Sequence, residues 1–168
     1  MLAVPVSMVL RKEYALREGQ VVLLRLAPVD PIDHFRGRYM ALRFELEQTK
    51  VNLPEGLSHD DDSTPAYALL SVDQAGFASL AGVQLERPTQ GHWLRVRSIG
   101  WDGHIRLPFA RYYLNEEKAP LIEKQARELM DKARKAGAPC PVHAVVRLHD
   151  GEGTLVELRG PDGPLTGN

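Results

Sequence analysis

Five ionisable or polar side chains, Asp30, Asp33, His34, Arg36 and Tyr39, fall within ten residues of one another. The segment that carries the first four, Pro28-Val29-Asp30-Pro31-Ile32-Asp33-His34-Phe35-Arg36-Gly37, holds two prolines and a glycine, a composition that fixes loop geometry rather than sheet pairing. A rigid loop between two core strands presents side chains reproducibly, so this stretch is a candidate binding or catalytic surface. Paired aspartates do acid and base work when their surroundings push their pKa values apart. A structural reading stands beside it. Each Asp caps its own turn, Arg36 pairs with one of them, and Tyr39 packs with its hydroxyl bonded nearby.

Elsewhere the chemistry is sparse. None of the six histidines, His34, His59, His92, His104, His143 and His149, forms the H-x-x-x-H or H-x-H spacing that sets two imidazoles on one metal. His59-Asp60-Asp61-Asp62 has oxygen ligands for a hard cation but lacks the glycine and distal glutamate of a calcium loop, and it reads as a solvated acidic tip. Gly151 and Gly153 lie in a turn with no helix after them, so no phosphate-binding loop is present. There is no G-x-S-x-G elbow, and Cys140, between two prolines with no nearby base, reads as a small structural hydrophobe. No catalytic residue, metal ligand or cofactor is assigned.

Charge narrows the partners. Across 168 residues, 21 Lys and Arg face 22 Asp and Glu for a formal net charge of -1, which gives no general attraction to nucleic acid or anionic lipid. One cysteine excludes an intramolecular disulfide, and a chain this long buries enough surface to be stable without one.

The elements that must position these groups are mostly strands. Gln20–Ala27 is a short apolar, β-branched run and reads as a buried strand. From Tyr39 the residues Met40, Leu42, Phe44 and Leu46 alternate with more polar neighbours, the period of a half-buried strand through residue 46. Residues 51–64 read as an exposed loop, Ala66–Val72 as a strand, and Phe77–Leu85 as a strand or an irregular crossing. His92–Ile99 and His104–Phe109, around a turn at Trp101-Asp102-Gly103, suggest an antiparallel meander. Leu121, Ile122, Gln125, Ala126, Leu129, Met130 and Ala133 recur at three and four residues, which predicts a helix over Ala119–Lys135, with Glu116 and Glu117 before its start and Gly137 past its end. Val142–Leu148 and Thr154–Leu158 flank Asp150-Gly151-Glu152-Gly153 and predict a terminal β-hairpin, with Gly160–Asn168 frayed. The expected fold is α+β, mainly antiparallel β as a meander or barrel-like sheet, with one amphipathic helix at about 118–136 and the C-terminal hairpin.

Leu2–Leu10 is almost wholly apolar, too short for the roughly 20 residues that span a bilayer, and without the flanks of a complete signal peptide. It is either the first element of the domain or the remnant of a longer N-terminal hydrophobic anchor. The organisation expected is residues 1–10 as that segment, a single domain over 11–160, and a flexible tail over 161–168.

Gly37-Arg38-Tyr39-Met40-Ala41-Leu42-Arg43-Phe44 resembles the motif of the bacterial GDYXXLXY proteins, with Gly37, Tyr39 and Leu42 retained. Arg38 stands where that family has Asp, and Phe44 where it has the final Tyr. The approach to the motif, Leu24–Arg36 with Pro28, Asp30, Pro31 and Arg36, is similar as well, as is the stretch from Arg111-Tyr112-Tyr113 to Glu123. The resemblance covers about Val4 to about Gly160 and implies a protein anchored by one N-terminal hydrophobic helix, its domain outside the cytoplasm, acting with a polytopic membrane protein. It carries no assigned activity. The Arg38 departure removes any role for a motif carboxylate. A strand pattern of signal-peptidase-like serine proteases is also similar in part, but Asp33, His34 and Phe35 stand where their Ser-Met-x-Pro segment is needed. The leading expectation is therefore an extracytoplasmic, membrane-tethered interaction domain whose contact surface is the Asp30–Tyr39 loop, joined by Arg111, Tyr112 and Tyr113 if the fold brings them together. The alternative is a small hydrolase or ligand-binding domain using Asp30, Asp33, His34 and Arg36.

Overall fold

The computed structural model describes residues 19–27, 39–52, 64–100, 102–109, 111–113 and 119–165. In chain order the strands are β1 (Gln20–Arg25), β2 (Tyr39–Ala41), β3 (Tyr67–Val72), β4 (Ala78–Gln84), β5 (His92–Arg95), β6 (Ser98–Ile99), β7 (Ile105–Arg106) and β8 (Arg111–Tyr113). The helix α1 (Ala119–Lys135) follows, then β9 (His143–His149), β10 (Glu152–Gly160) and β11 (Gly163–Pro164). They form a four-stranded sheet in the order β1-β9-β10-β11, a three-stranded sheet β4-β3-β5, and the pairs β2-β8 and β6-β7, all antiparallel. The fold is α+β with mainly antiparallel strands. The sheets do not close into a barrel.

Local chemistry explains the elements. Asp150 and Gly151 have φ of 53° and 78°, the positive pair that a two-residue hairpin turn requires, and His149 faces Glu152 across it. Gly137, at φ 64°, ends α1 in a Schellman motif: Ala138 N–H donates to the Ala133 carbonyl at 2.9 Å and Gly137 N–H to that of Arg134 at 3.2 Å. Ile122 and Ala126 are buried on the inner face of α1, whereas Leu121, placed on that face by its spacing, is 49% exposed. One hydrophobic cluster runs through the molecule. It joins Val22, Leu24 and Leu26 to Phe44, Leu94, Ile105, Val146 and Leu158.

Two expectations are corrected. The strand drawn through residue 46 stops at Ala41, and Glu45–Gln48 is a 3-10 turn because a side chain, Glu47, supplies the hydrogen bonds a strand partner would give. The antiparallel return expected between His92–Ile99 and His104–Phe109 is present as the β6–β7 pair, and in the three-stranded sheet β3 takes the centre, with β4 and β5 on either side. β4 carries Ser79, Ala81 and Gly82 and has little apolar surface to bury, which suits an edge. The chain after Gly160 does not fray over 161–165: Gly163, at φ 122°, turns it back, β11 pairs with β10, and Leu165 N–H donates to the Leu158 carbonyl at 2.9 Å.

The two sheets are joined at the turn between β3 and β4. Asp73 Oδ1 accepts the N–H groups of Ala75 and Phe77, both at 2.9 Å, and shapes a tight loop with Gly76 at φ 89°. That loop docks on β1, where Leu23 N–H donates to the Gly76 carbonyl at 2.8 Å and Leu23 forms a parallel bridge with Phe77. The second junction is a close approach. A Cβ on Gly153 would overlap the ring of Phe109, whereas Gly82 has open space around it. Gly153→Ala is therefore expected to lower stability by about 1–3 kcal/mol through overpacking, with Gly82→Ala near neutral, both read from urea denaturation midpoints. Equal effects of the two would remove this account of the packing.

Candidate functional site

The motif strand is extended from Tyr39 to Phe44 and changes partner along its length. Tyr39, Met40 and Ala41 pair with Tyr113, Tyr112 and Arg111 in turn. Two residues later the Arg43 carbonyl accepts Ala27 N–H at 2.9 Å, and Phe44 bridges Leu26. The strand thus runs from a two-stranded ribbon into the end of β1 and ties the ribbon to the main sheet. α1 passes close to β2 on the ribbon.

Two motif positions serve the core. Leu42 is 3% exposed and Phe44 fully buried, its ring edge-on to Phe109 with centroids 5.6 Å apart. A tyrosine hydroxyl at position 44 would need a buried partner, and phenylalanine does not. Leu42 is accordingly a packing residue rather than a contact surface.

The turn after the strand is fixed by Glu47, a buried carboxylate at 8% exposure. Its Oε2 accepts Phe44 N–H at 3.0 Å, the reach-back half of a capping box, and its Oε1 accepts Leu107 N–H at 2.8 Å. Glu47 was not among the residues the sequence singled out. The available signal was its place three residues after Phe44, where a turn-capping carboxylate belongs. Replacing it with alanine leaves two buried N–H groups unpaired, at about 1–3 kcal/mol each. Glu47→Ala is expected to lower the denaturation midpoint strongly, and Glu47→Gln, which keeps one acceptor oxygen, by less. A surface-like response to both would show that the carboxylate does not hold the turn.

The structure places the other sequence-selected residues unevenly. Pro28, Asp30, Pro31, Asp33, His34, Arg36 and Gly37 lie outside the described residues. Tyr39 and Arg111-Tyr112-Tyr113 are brought together as paired backbone. Glu123 lies on α1 and pairs with Arg127 one turn on, an ion pair on the helix surface. Among the described residues, no group of three or more His, Cys, Asp or Glu side chains is placed to hold a metal, and no helix is long and apolar enough to cross a membrane.

Asp102, Cys140 and His143 have structural partners. His104 donates from its backbone and imidazole to Asp102, with Nδ1 2.9 Å from Oδ2, and holds that carboxyl below its ordinary value. Burial pushes the Cys140 thiol up, which keeps it protonated, as a structural hydrophobe should be. His143 packs edge-on against Phe77 at 5.2 Å, with the Arg25 guanidinium 3.8 Å from the same ring. Burial lowers the His143 pKa, and Arg159 and Arg25 lower it further. The folded protein then binds this proton less readily than the unfolded chain, whose group titrates near 6.5. Stability should be unaffected well above that pH, fall as the pH drops below 6.5, and level off below the folded group's own pKa. Urea midpoints across this range should show the loss in the wild type and a shallower one in His143→Gln. An unchanged acid loss in the variant would assign it to other groups.

No curated protein and no solved structure matches the chain. The GDYXXLXY protein family model matches residues 1–158, which include the motif strand, the ribbon, α1 and all but the last two residues of the β9–β10 hairpin. On that match the chain belongs to the GDYXXLXY protein family.

Proposed function

We propose that this chain is an interaction domain without catalytic activity of its own, held at a membrane outside the cytoplasm in its natural form, which docks a membrane-protein partner through the β2–β8 ribbon. The observation that carries this reading is the pairing of Tyr39–Ala41 with Arg111–Tyr113. Two segments far apart in the sequence meet there, and between them they bring residue types that concentrate in interface cores, tyrosine and methionine from one and arginine and two tyrosines from the other.

The ribbon is also short of partners. It has three residue pairs, and among the described residues each strand is paired on one side only. A two-stranded ribbon of this kind is marginally stable by itself, and its outer backbone groups suit an added strand from a partner. The membrane location draws support from the apolar Leu2–Leu10 and from the anchor that the family resemblance implies. The alternative, a hydrolase or ligand-binding domain, rests on Asp30, Asp33, His34 and Arg36, for which the structure supplies no geometry.

The test is purification of the protein from gently solubilised cells, membranes included, with mass spectrometry of what accompanies it. A membrane protein in stoichiometric amount is expected with the wild type. It should be lost from Tyr112→Ala and Arg111→Ala variants whose melting temperatures are unchanged. Absence of such a partner, or its retention by folded variants, would overturn the proposal.

A further inference from the structure

A cleft of about 710 Å³ opens where three elements end together: the start of β1 at Gln20, the segment between β4 and β5 at Arg87 and Thr89, and the turn between β9 and β10 at His149 and Asp150. Trp93 of β5 also lines it. The volume falls in the range of small-molecule sites, and the walls come from sheet ends and a tight hairpin rather than from one long loop.

The indole is held in place. Tyr67 packs edge-on against it with centroids 5.4 Å apart, and Gly151 lies so close that a Cβ there would overlap the ring. Trp93 is half-buried and cannot turn in toward Gly151, so it remains part of the cleft wall.

The polar side chains around it are those of Arg87, Asp150, Gln20, Thr89 and His149. Arg87 stands with its guanidinium 5.6 Å from the indole centroid and pairs with Asp150. Their side chains are 57% and 60% exposed, which makes this a surface ion pair, weak in water and easily opened by a ligand. The two charges cancel, and Gln20 and Thr89 add neutral donors and acceptors. An anion would face Asp150, and a cation would face Arg87. A neutral ligand with many hydroxyls meets neither penalty. Arg87 takes the indole face it stands over, so the C–H groups of such a ligand would meet the remaining exposed part of the half-buried ring, and its hydroxyl pairs would bridge the planar ends of Arg87, Asp150 and Gln20.

From this geometry we infer that the cleft formed by Trp93, Arg87 and Asp150 is a binding site for a neutral saccharide. It is separate from the β2–β8 ribbon in the residues it uses, and it stands or falls independently of that docking surface.

The experiment is an amide and indole N–H correlation spectrum of the isotopically labelled full chain, titrated with maltotetraose, cellotetraose and tetra-N-acetylchitotetraose at millimolar concentration. At least one should move the Trp93 indole and Gly151 amide signals saturably. Arg87→Ala and Asp150→Asn, which removes the charge but keeps a residue type that tolerates the positive φ of the turn, should each weaken that binding about tenfold or more while leaving the spectrum elsewhere intact. Trp93→Phe, which keeps an aromatic packing group, should weaken it as well. If none of the three oligosaccharides moves these signals, or if the Arg87 and Asp150 variants bind as the wild type does, the inference is wrong.

Discussion

Glu47 is the point on which the middle of this structure depends. A carboxylate at 8% exposure must find hydrogen bonds or be expelled, and it finds them in two backbone N–H groups, that of Phe44 three residues before it and that of Leu107 sixty residues after it. The first bond turns the motif strand into a 3-10 helix, and the second fastens that turn to the residue just after β7. With both made, Phe44 is directed into the core against Phe109, and Phe109 fills the space that Gly153 leaves on β10. One side chain thereby couples the motif strand, the β6–β7 hairpin and the C-terminal hairpin.

β1 is the second organising element. Its inner face places Val22 and Leu24 in the core, β9 pairs along all of its length, and its end holds the motif strand at Leu26 and Ala27. Away from β1, the three-stranded sheet also reaches the four-stranded one where Arg95 N–H donates to the Gly151 carbonyl at 2.9 Å. The backbone bonds at both ends of this region give them a fixed relation, and the core cluster fills the space between them.

Local signals were legible where one segment decides its own structure. The amphipathic period of α1 with Gly137 at its end, the Asp150-Gly151 turn, and the apolar run of β1 each read correctly because propensity, capping and burial agree there. The motif strand read only in part. Its alternation is real, since Leu42, Phe44 and Leu46 are all buried, yet burial of alternate residues does not require a continuing ladder. The bonds of Glu47 to a distant N–H ended the strand, and no period of two reports such a contact. The order of β3, β4 and β5 was equally hidden, because it depends on which strand has two faces to bury. Of the candidate site, the meeting of residues 39–41 with 111–113 was conceivable from the sequence but not derivable from it. The approach of Trp93 to Gly151 had no local trace at all.

The turn between β3 and β4 carries a consequence beyond joining two sheets. β1 lies at the border of the four-stranded sheet, and a border strand with unsatisfied N–H and C=O groups recruits strands from other molecules. Gly76 and Phe77 occupy that border at Leu23, and Arg25 lies across the Phe77 ring. A charged, backbone-bonded plug of this kind stops the sheet from growing outward, so the domain does not polymerise through β1. The opposite border ends in the two-residue β11, closed by a proline that has no N–H to offer. That cover reaches β10 only at Arg159 and Gly160, so β1 is the better guarded of the two limits of the largest sheet.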